Sequence, residues 1–223
     1  MLIGLLSDAH GNIGAFDLGI KTLREAGAER IIFLGDAIGY IPDPSVVSKL
    51  RREGIDCLLG NHEAYLLAGD MPIEKDDVYR LNETRLKMDV EMFQFMRTWP
   101  DKINLKINDL FCCFVHGSPI DPLFGYVYPD TPLEPMLGFD ADLIFMGATH
   151  RPFLRKIENK KFINIGSIGL PRDSSGFGSV VLFDTLTQDV QFLQVDISNS
   201  SRKVLDLYEL HPSVAKYLYN TIK

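Results

Sequence analysis

The sequence has few cysteines, no excess of basic residues and no long apolar run. Three cysteines among 223 residues, two of them adjacent, do not make a disulfide framework; they are typical of small buried hydrophobes in a reducing compartment. No apolar run approaches the ~20 residues of a membrane span. The N-terminus lacks the basic segment and cleavage site of a secretory signal. We therefore predict a cytoplasmic protein with no membrane partner.

The charge balance is acidic. A net charge of −7 disfavours a protein that binds nucleic acid regardless of sequence, because such binding needs a basic surface to displace counterions. We expect no stable nucleic-acid partner. An acidic protein can still bind a phosphate ester where metal ions supply local positive charge. The length and a hydrophobic content of 46% suit one large domain with a sizeable core, and the oligomeric state stays open.

The first apolar run ends in an Asp-x-His pair, followed by Gly-Asn. Because strand side chains alternate faces, Asp8 and His10 can point the same way at the carboxyl end of the strand. A carboxylate beside an imidazole suits a divalent metal, and open α/β sheets place their sites at this edge. On its own, the pair is equally consistent with a chance pair at the surface.

Four more apolar runs end in the same way, with glycine close to an Asp, Asn or His residue of the kind that binds metal ions. They lead into Gly35-Asp36, Gly60-Asn61-His62-Glu63, His116-Gly117 and Gly147-Ala148-Thr149-His150. One such case means little, since a lone histidine near a core is usually structural. Five in order, using four of the five histidines, indicate a metal site assembled from several strand ends.

Periodicity predicts alternating strands and helices in the first half of the chain. Asn12 is a plausible N-cap for a helix over residues 13–26, strands are expected at 31–34 and 55–59, and a second helix carries Val46, Val47 and Leu50. Residues 70–77 are predicted to be a polar connection. A long amphipathic helix is predicted over about 74–98, either packed on the core or leaning over the site.

The second half is rich in strands. We predict a hairpin turn at Asn108-Asp109 and another at residues 158–160, a long ordered loop at 119–135 and one or two closing helices after residue 198. The seven predicted strands are residues 103–107, 111–115, 143–146, 153–157, 161–165, 179–183 and 190–195.

Over about residues 1–195, the order Asp-x-His, Gly-Asp, Gly-Asn-His-Glu, His, Gly-x-x-His resembles the calcineurin-like metallophosphoesterase superfamily. The stretches 35–44, 115–119 and 163–172 resemble its small bacterial and archaeal members. The resemblance implies an α/β fold: a four-layer α/β/β/α sandwich of two mixed sheets flanked by helices. We expect a metallophosphoesterase domain at 1–197 with a helical insertion at about 70–100, and a C-terminal helical extension at 198–223 packed on it.

The family pattern also implies a role for each motif residue. Asp36 would bridge two divalent ions, and His62 would be the general acid that protonates the leaving oxygen. The remaining ligands would be Asp8, His10 and His150 at the first ion, and Asn61 and His116 at the second. The family usually has Gly-His-x-His in its last motif, and Ala148 replaces the first of those histidines. The second ion is therefore expected to bind weakly. Manganese is expected first, with iron, zinc, nickel or cobalt as alternatives.

The same resemblance narrows the substrate. Phosphoprotein phosphatases of the superfamily carry Gly-Asp-x-x-Asp-Arg-Gly, and Gly39 and Tyr40 stand at the places of that Asp and Arg, which disfavours a protein phosphatase. Asn12, Tyr40, Ser118 and Arg172 are the expected substrate contacts. The implied function is hydrolysis of a small phosphodiester or phosphomonoester by attack of a metal-bound hydroxide. The alternative is a non-catalytic interaction scaffold of the same fold, as in the retromer subunit that resembles this family.

Overall fold

Strand–helix–strand units form the first part of the chain. The computed structural model describes residues 1–69, 73–107 and 109–222. Asn12 accepts the backbone N–H of Ala15 and so starts the first helix. The elements of this part are β1 (Leu2–Leu6), α1 (Ile13–Glu25), β2 (Arg30–Phe33), α2 (Ser45–Glu53), β3 (Asp56–Cys57) and α3 (Asn61–Ala68). The predicted third strand is shorter than expected, because only two of its residues pair with β2.

The predicted long helix over residues 74–98 is wrong. The segment forms three short helices instead: α4 (Ile73–Tyr79), α5 (Leu81–Leu86) and α6 (Val90–Met96). Arg80 separates α4 from α5, because its backbone adopts a left-handed conformation with a φ of 54°. Asp89 then starts a new helix, because its side chain accepts the N–H of Met92. Residues 70–72 of the predicted polar connection lie outside the described residues.

The second half contains the remaining strands and helices, each close to its predicted position. Asn108 of the predicted hairpin turn lies outside the described residues. The elements are β4 (Lys102–Ile107), β5 (Leu110–Val115), a 3-10 turn (Glu134–Met136), β6 (Leu143–Met146), β7 (Phe153–Ile157), β8 (Lys160–Asn164), β9 (Gly178–Asp184), β10 (Val190–Val195), α7 (Ser198–Leu207) and α8 (Pro212–Tyr219).

Two mixed five-stranded sheets form the body of the protein. Their strand orders are β10-β9-β1-β2-β3 and β4-β5-β6-β8-β7, with β1, β2 and β3 parallel in one and β5, β6 and β8 parallel in the other. The inner faces pack against each other through buried apolar side chains such as Leu5, Ile32, Phe114, Phe145 and Ile163. The predicted α/β fold of two mixed sheets flanked by helices is confirmed.

The outer faces of the two sheets are covered differently. Helices α1 and α2 pack on the first sheet through residues such as Phe16 and Val47. The second sheet is covered by the long loop around the 3-10 turn, with Val127, Leu133 and Met136 buried against it. None of the described helices is both long enough and apolar enough to cross a membrane.

The last two helices, α7 and α8, close over the loops that follow β2 and β8. Val204, Val214 and Leu218 pack with Ile41 and Leu170 in a separate apolar cluster. The hydroxyl of Thr221 donates to Ser201, which ties the end of α8 to α7. These contacts place side chains of the C-terminal helices beside loops from the strand ends.

Candidate metal centre

The motif residues converge where the central strands of the two sheets end. Asp8 and His10 follow β1, Asp36 follows β2, His116 follows β5, and His150 follows β6. Asn61 begins α3, just beyond β3. All six predicted metal ligands are buried, with relative exposures of 4% or less. The structure therefore brings together side chains that lie as far apart as residues 8 and 150.

The loops that present these side chains have an unusual backbone. Asp8, His10, Asp36, Ala148 and His150 all have positive φ angles, between 48° and 62°. Non-glycine residues rarely adopt this conformation, and each instance costs about 1–3 kcal/mol. Backbone hydrogen bonds between the loops hold the conformation, including those from Asp8 N–H to the Gly35 carbonyl and from His10 N–H to the Asp36 carbonyl, each 3.0 Å long.

Three of the histidines are oriented by the same device. The Nδ1 atoms of His10, His116 and His150 lie 3.1, 2.8 and 2.6 Å from the backbone carbonyls of Ile38, Leu34 and Leu170. A carbonyl only accepts, so each Nδ1 carries the hydrogen and donates it. Each Nε2 is therefore the ring nitrogen left to bind an ion, once it carries no proton. Ligating histidines in metalloproteins are oriented in this way.

These Nε2 atoms point at two carboxylates. His150 Nε2 lies 3.2 Å from Asp8 Oδ1, and His116 Nε2 lies 3.4 Å from Asp36 Oδ2. His10 Nε2 lies 3.6 Å from the same oxygen, Asp36 Oδ2. Asn61 Oδ1 lies 3.2 Å from His116 Nε2. Asp36 Oδ2 thus lies within 3.6 Å of imidazoles that follow two different strands, β1 and β5, and a carboxylate in this position could be shared by two ions.

The donor set fits a cation. His10 Nε2 and His150 Nε2 are 3.1 Å apart, and both carry lone pairs because both Nδ1 hydrogens are already donated. Two lone pairs at this distance repel unless a positive ion lies between them. Asp8 Oδ1 is buried with no hydrogen-bond partner among the described residues. The nitrogen and oxygen donors form overlapping groups whose atoms lie within 4.8 Å of one another, among them Asp8, His10 and His150.

The electrostatics of the cluster agree with this fit. Burial raises the pKa of Asp36, but the neighbouring His116 and His62 outweigh burial and hold that pKa well below its usual value. Burial lowers the pKa of His116, but the charge of Asp36 and a hydrogen bond to it outweigh burial, and the pKa is raised to about 10. Without a metal ion, a proton on His116 therefore partly neutralises the negative charge of Asp36. A bound metal ion would replace that proton and supply the positive charge itself.

Glu63, the last residue of the Gly-Asn-His-Glu motif, has a structural role that its sequence position did not reveal. Its buried carboxylate accepts the backbone N–H groups of Asp36, Ala37, Ile38 and Gly60. These bonds shape the loop that carries Asp36 and the Ile38 carbonyl, on which His10 is oriented. Burial and the Asp36 charge raise the pKa of Glu63 to about 7, while the donated hydrogens favour the carboxylate. Its place at the end of Gly-Asn-His-Glu was the signal available in the sequence.

His62 lies beside the donors, against two tyrosine rings. Its ring centroid is 4.8 Å from that of Tyr40 and 4.3 Å from that of Tyr79. Its Nε2 is 3.9 Å from Asp36 Oδ2, and together with His10 and Asp36 it forms a third group able to hold an ion. Burial lowers the pKa of His62 to about 4. Gly39 makes room for the ring, because a Cβ at that position would lie 1.9 Å from His62 Nδ1.

The predicted substrate contacts fall into two kinds. Tyr40 and Arg172 lie at the site: the guanidinium donates to the Tyr40 hydroxyl at 2.9 Å, and the Tyr40 ring lies 4.6 Å from that of His10. Asn12 is buried, with its side chain capping α1, donating to the Gly169 carbonyl and accepting from Ser200. Ser118 bonds within its own turn to Asp121. Of the four, Tyr40 and Arg172 are therefore the side chains that we keep as candidate substrate contacts.

Ala148 occupies the last loop as the sequence analysis expected, with no donor in its side chain. Its backbone N–H donates to Asp8 Oδ2 at 3.2 Å and so helps to orient that carboxylate. The side chain of Asn164, at the end of β8, donates hydrogen bonds to the Gly147 carbonyl and to the hydroxyl of Thr149. These hydrogen bonds fix the conformation of the loop around Ala148.

Comparisons with known proteins agree with this picture. A family model for the calcineurin-like phosphoesterase superfamily domain matches residues 1–188. The chain is 29% identical to an uncharacterized protein of Methanocaldococcus jannaschii, covering 92% of each chain. A metallophosphoesterase from Sphaerobacter thermophilus has a similar structure, with a TM-score of 0.81, 24% identity and coverage of 100% of this chain and 99% of that one. A hypothetical protein from Pyrococcus horikoshii OT3 gives a TM-score of 0.80 at 22% identity, with the same coverage.

Proposed function

Because the chain belongs to the calcineurin-like phosphoesterase superfamily, we propose that it is a metal-dependent hydrolase of a small phosphodiester or phosphomonoester. One observation carries the proposal. Three buried imidazoles, each oriented through Nδ1, direct their Nε2 atoms at the carboxylates of Asp8 and Asp36. Such an array is costly to bury and has no evident use without a cation.

We assign two divalent ions to this array. Asp36 would be shared, with Asp8, His10 and His150 at the first ion and Asn61 and His116 at the second. When bound, such ions neutralise the phosphoryl oxygens and activate water as a nucleophile. The second ion has fewer protein ligands because Ala148 offers none, so we expect it to bind more weakly. Manganese is the first expectation, with iron, zinc, nickel or cobalt as alternatives, and mixed nitrogen and oxygen donors do not choose among these metals.

His62 is proposed as the general acid that protonates the leaving oxygen. The ring is held by Tyr40 and Tyr79, and it lies within 4 Å of Asp36 rather than among the best-aligned donors. Its pKa of about 4 means that the imidazole is neutral at pH 7 before substrate enters. A phosphate ester brings negative charge next to the ring, and this charge raises the pKa toward the value that an acid needs.

Arg172 and Tyr40 are proposed to bind the phosphoryl group. A guanidinium suits phosphate because it offers several donors in a planar fork. Burial is the main cause of the lowered pKa values of His10, His62 and His150, and the charge of Arg172 lowers them further, as expected for a cation near these rings. A phosphate held there would lie between the arginine and the proposed ions.

The alternative, a non-catalytic scaffold of the same fold, is less well supported. A scaffold has no need for strained loops, oriented imidazoles or a buried histidine beside the bridging carboxylate. We therefore favour the enzyme, with a small phosphate ester as its partner and a cytoplasmic location. The three cysteines are buried and unpaired, which suits a reducing compartment.

Metal removal tests the proposal directly. Protein treated with a chelator and then desalted should not hydrolyse bis(p-nitrophenyl) phosphate or p-nitrophenyl phosphate, and manganese should restore the activity of the treated protein. Metal content measured by mass spectrometry should rise in parallel. Equal activity in the stripped and reloaded samples would rule out a metal-dependent mechanism.

A further inference from the structure

Arg172 is a half-buried cation with no carboxylate at ion-pair distance among the described residues. In the described part of the chain, no ion pair joins its guanidinium to a carboxylate, and its Nε is buried without a hydrogen-bond partner. Taking a charge out of water is costly, so charged groups that are removed from solvent are usually paired. The Asp8 charge attracts the guanidinium without forming an ion pair with it, so Arg172 is available to an anion bound at the neighbouring phosphate site that we propose.

Two tyrosine rings hold this guanidinium, and we call Tyr40 and Tyr217 the aromatic bracket. The central carbon of the guanidinium lies 5.5 Å from the ring centroid of Tyr40 and 5.3 Å from that of Tyr217. The Tyr40 hydroxyl also accepts a hydrogen bond from Nη2. Cations over aromatic faces at this distance are attracted by the ring electrons, and they keep their outward N–H groups free.

The two halves of the bracket come from distant parts of the sequence. Tyr40 lies in the loop after β2 that also carries Asp36, while Tyr217 lies on α8. Helix α8 is anchored independently of Arg172, through buried Val214 and Leu218 in the cluster with Ile41 and through the hydrogen bond of Thr221 to Ser201. Tyr217 is therefore presented to the arginine by a fixed helix.

We propose that Tyr217 is a positioning residue for phosphate binding, and that the C-terminal helices complete the phosphate site by holding Arg172 in the bracket. The inference rests on the proposed function, because it takes Arg172 to be a phosphate ligand. Removing the ring of Tyr217 frees the guanidinium to move among rotamers. Cation–π contacts of this kind correspond to roughly 3- to 30-fold in affinity.

The experiment compares three variants of the full chain loaded with manganese. Tyr217→Leu removes the ring, and Tyr217→Phe keeps it. Tyr208→Leu is the matched control, because Tyr208 is a half-buried tyrosine of the same apolar cluster whose hydroxyl bonds to Asp43 and not to Arg172. Inorganic phosphate is the binding probe, measured by titration calorimetry, and KM and kcat are measured with bis(p-nitrophenyl) phosphate.

Tyr217→Leu should weaken phosphate binding and raise KM by roughly 3- to 30-fold, with a smaller change in kcat. Tyr217→Phe should stay within about twofold of the parent, and Tyr208→Leu should lower the thermal midpoint without changing phosphate affinity. If Tyr217→Leu does not fold, Tyr217→Met keeps the apolar volume without the ring and takes its place.

Several results would overturn the inference. They are an unchanged phosphate affinity in Tyr217→Leu, an equal loss in Tyr217→Phe or Tyr208→Leu, and a parent protein that binds no phosphate. A different result separates the two proposals: if no ester is hydrolysed but phosphate binding follows the expected order, the proposed function fails and the role of Tyr217 stands.

Discussion

Replacing Glu63 with glutamine should loosen the loop that carries Asp36 without removing a proposed metal ligand. The carboxylate accepts four buried backbone N–H groups, two on each oxygen, at 2.9 to 3.2 Å. A glutamine keeps one acceptor oxygen and turns an N–H₂ group toward the other two donors. Two buried N–H groups then lose their acceptor, at about 1–3 kcal/mol each, so Glu63→Gln should lower the free energy of unfolding by about 2–6 kcal/mol.

The same change should weaken metal binding, although Glu63 touches no ion in our assignment. Its donors include the N–H groups of Asp36 and Ile38, and the Ile38 carbonyl accepts the Nδ1 hydrogen of His10. Shifting this loop misaligns the bridging carboxylate and one imidazole together. Changes of this kind, one shell away from the ions, commonly cost about 10- to 100-fold in metal affinity.

Urea unfolding of chelator-treated protein separates the two effects. The measurement should be made at pH 8, above the pKa of about 7 for Glu63, so that the parent carries the carboxylate. Metal affinity is then measured by manganese titration of folded protein. Glu25→Gln is the control, because Glu25 is an exposed glutamate whose one ion pair within the described residues is with Lys21, and it should change neither quantity. A Glu63→Gln protein with the unfolding midpoint and manganese affinity of the parent would refute the role assigned to this carboxylate.

Two other substitutions test the proposed roles. His62→Ala should cut turnover by roughly 10²- to 10⁴-fold with little loss of bound metal, since its role is proton transfer; a marked fall in metal content, measured by mass spectrometry, would make His62 a ligand instead, as its place beside His10 and Asp36 permits. Ala148→His should strengthen the weaker of two unequal metal sites and lower the manganese concentration needed for turnover, as followed by titration with an activity assay. Two equivalent sites in the parent protein, unchanged by the new histidine, would show that another residue fills the gap.

Sequence by itself determined the fold class and which residues we propose for the metal centre. Apolar runs that stop at Asp, Asn or His beside glycine mark strand ends, and parallel strands bring their carboxyl ends to one edge of a sheet. That rule needs only local information, so Asp8, Asp36, His116 and His150 could be selected before any contact was known. The family resemblance over the same motifs is confirmed.

Tertiary structure decided what each side chain does with its polar atoms. Asn12 bonds to Gly169 and Ser200, and Tyr217 packs on Arg172. These partners are distant in sequence and leave no periodic signal. Backbone partners are equally invisible: any residue has a carbonyl, so nothing in the sequence marks Ile38 as the one that orients His10, or the four N–H groups that bind Glu63. The break at Arg80 has the same cause, because a left-handed backbone at an arginine is imposed by surrounding contacts and not by its own preference. Local pattern specifies which residues face an edge, and only packing specifies their hydrogen-bond partners.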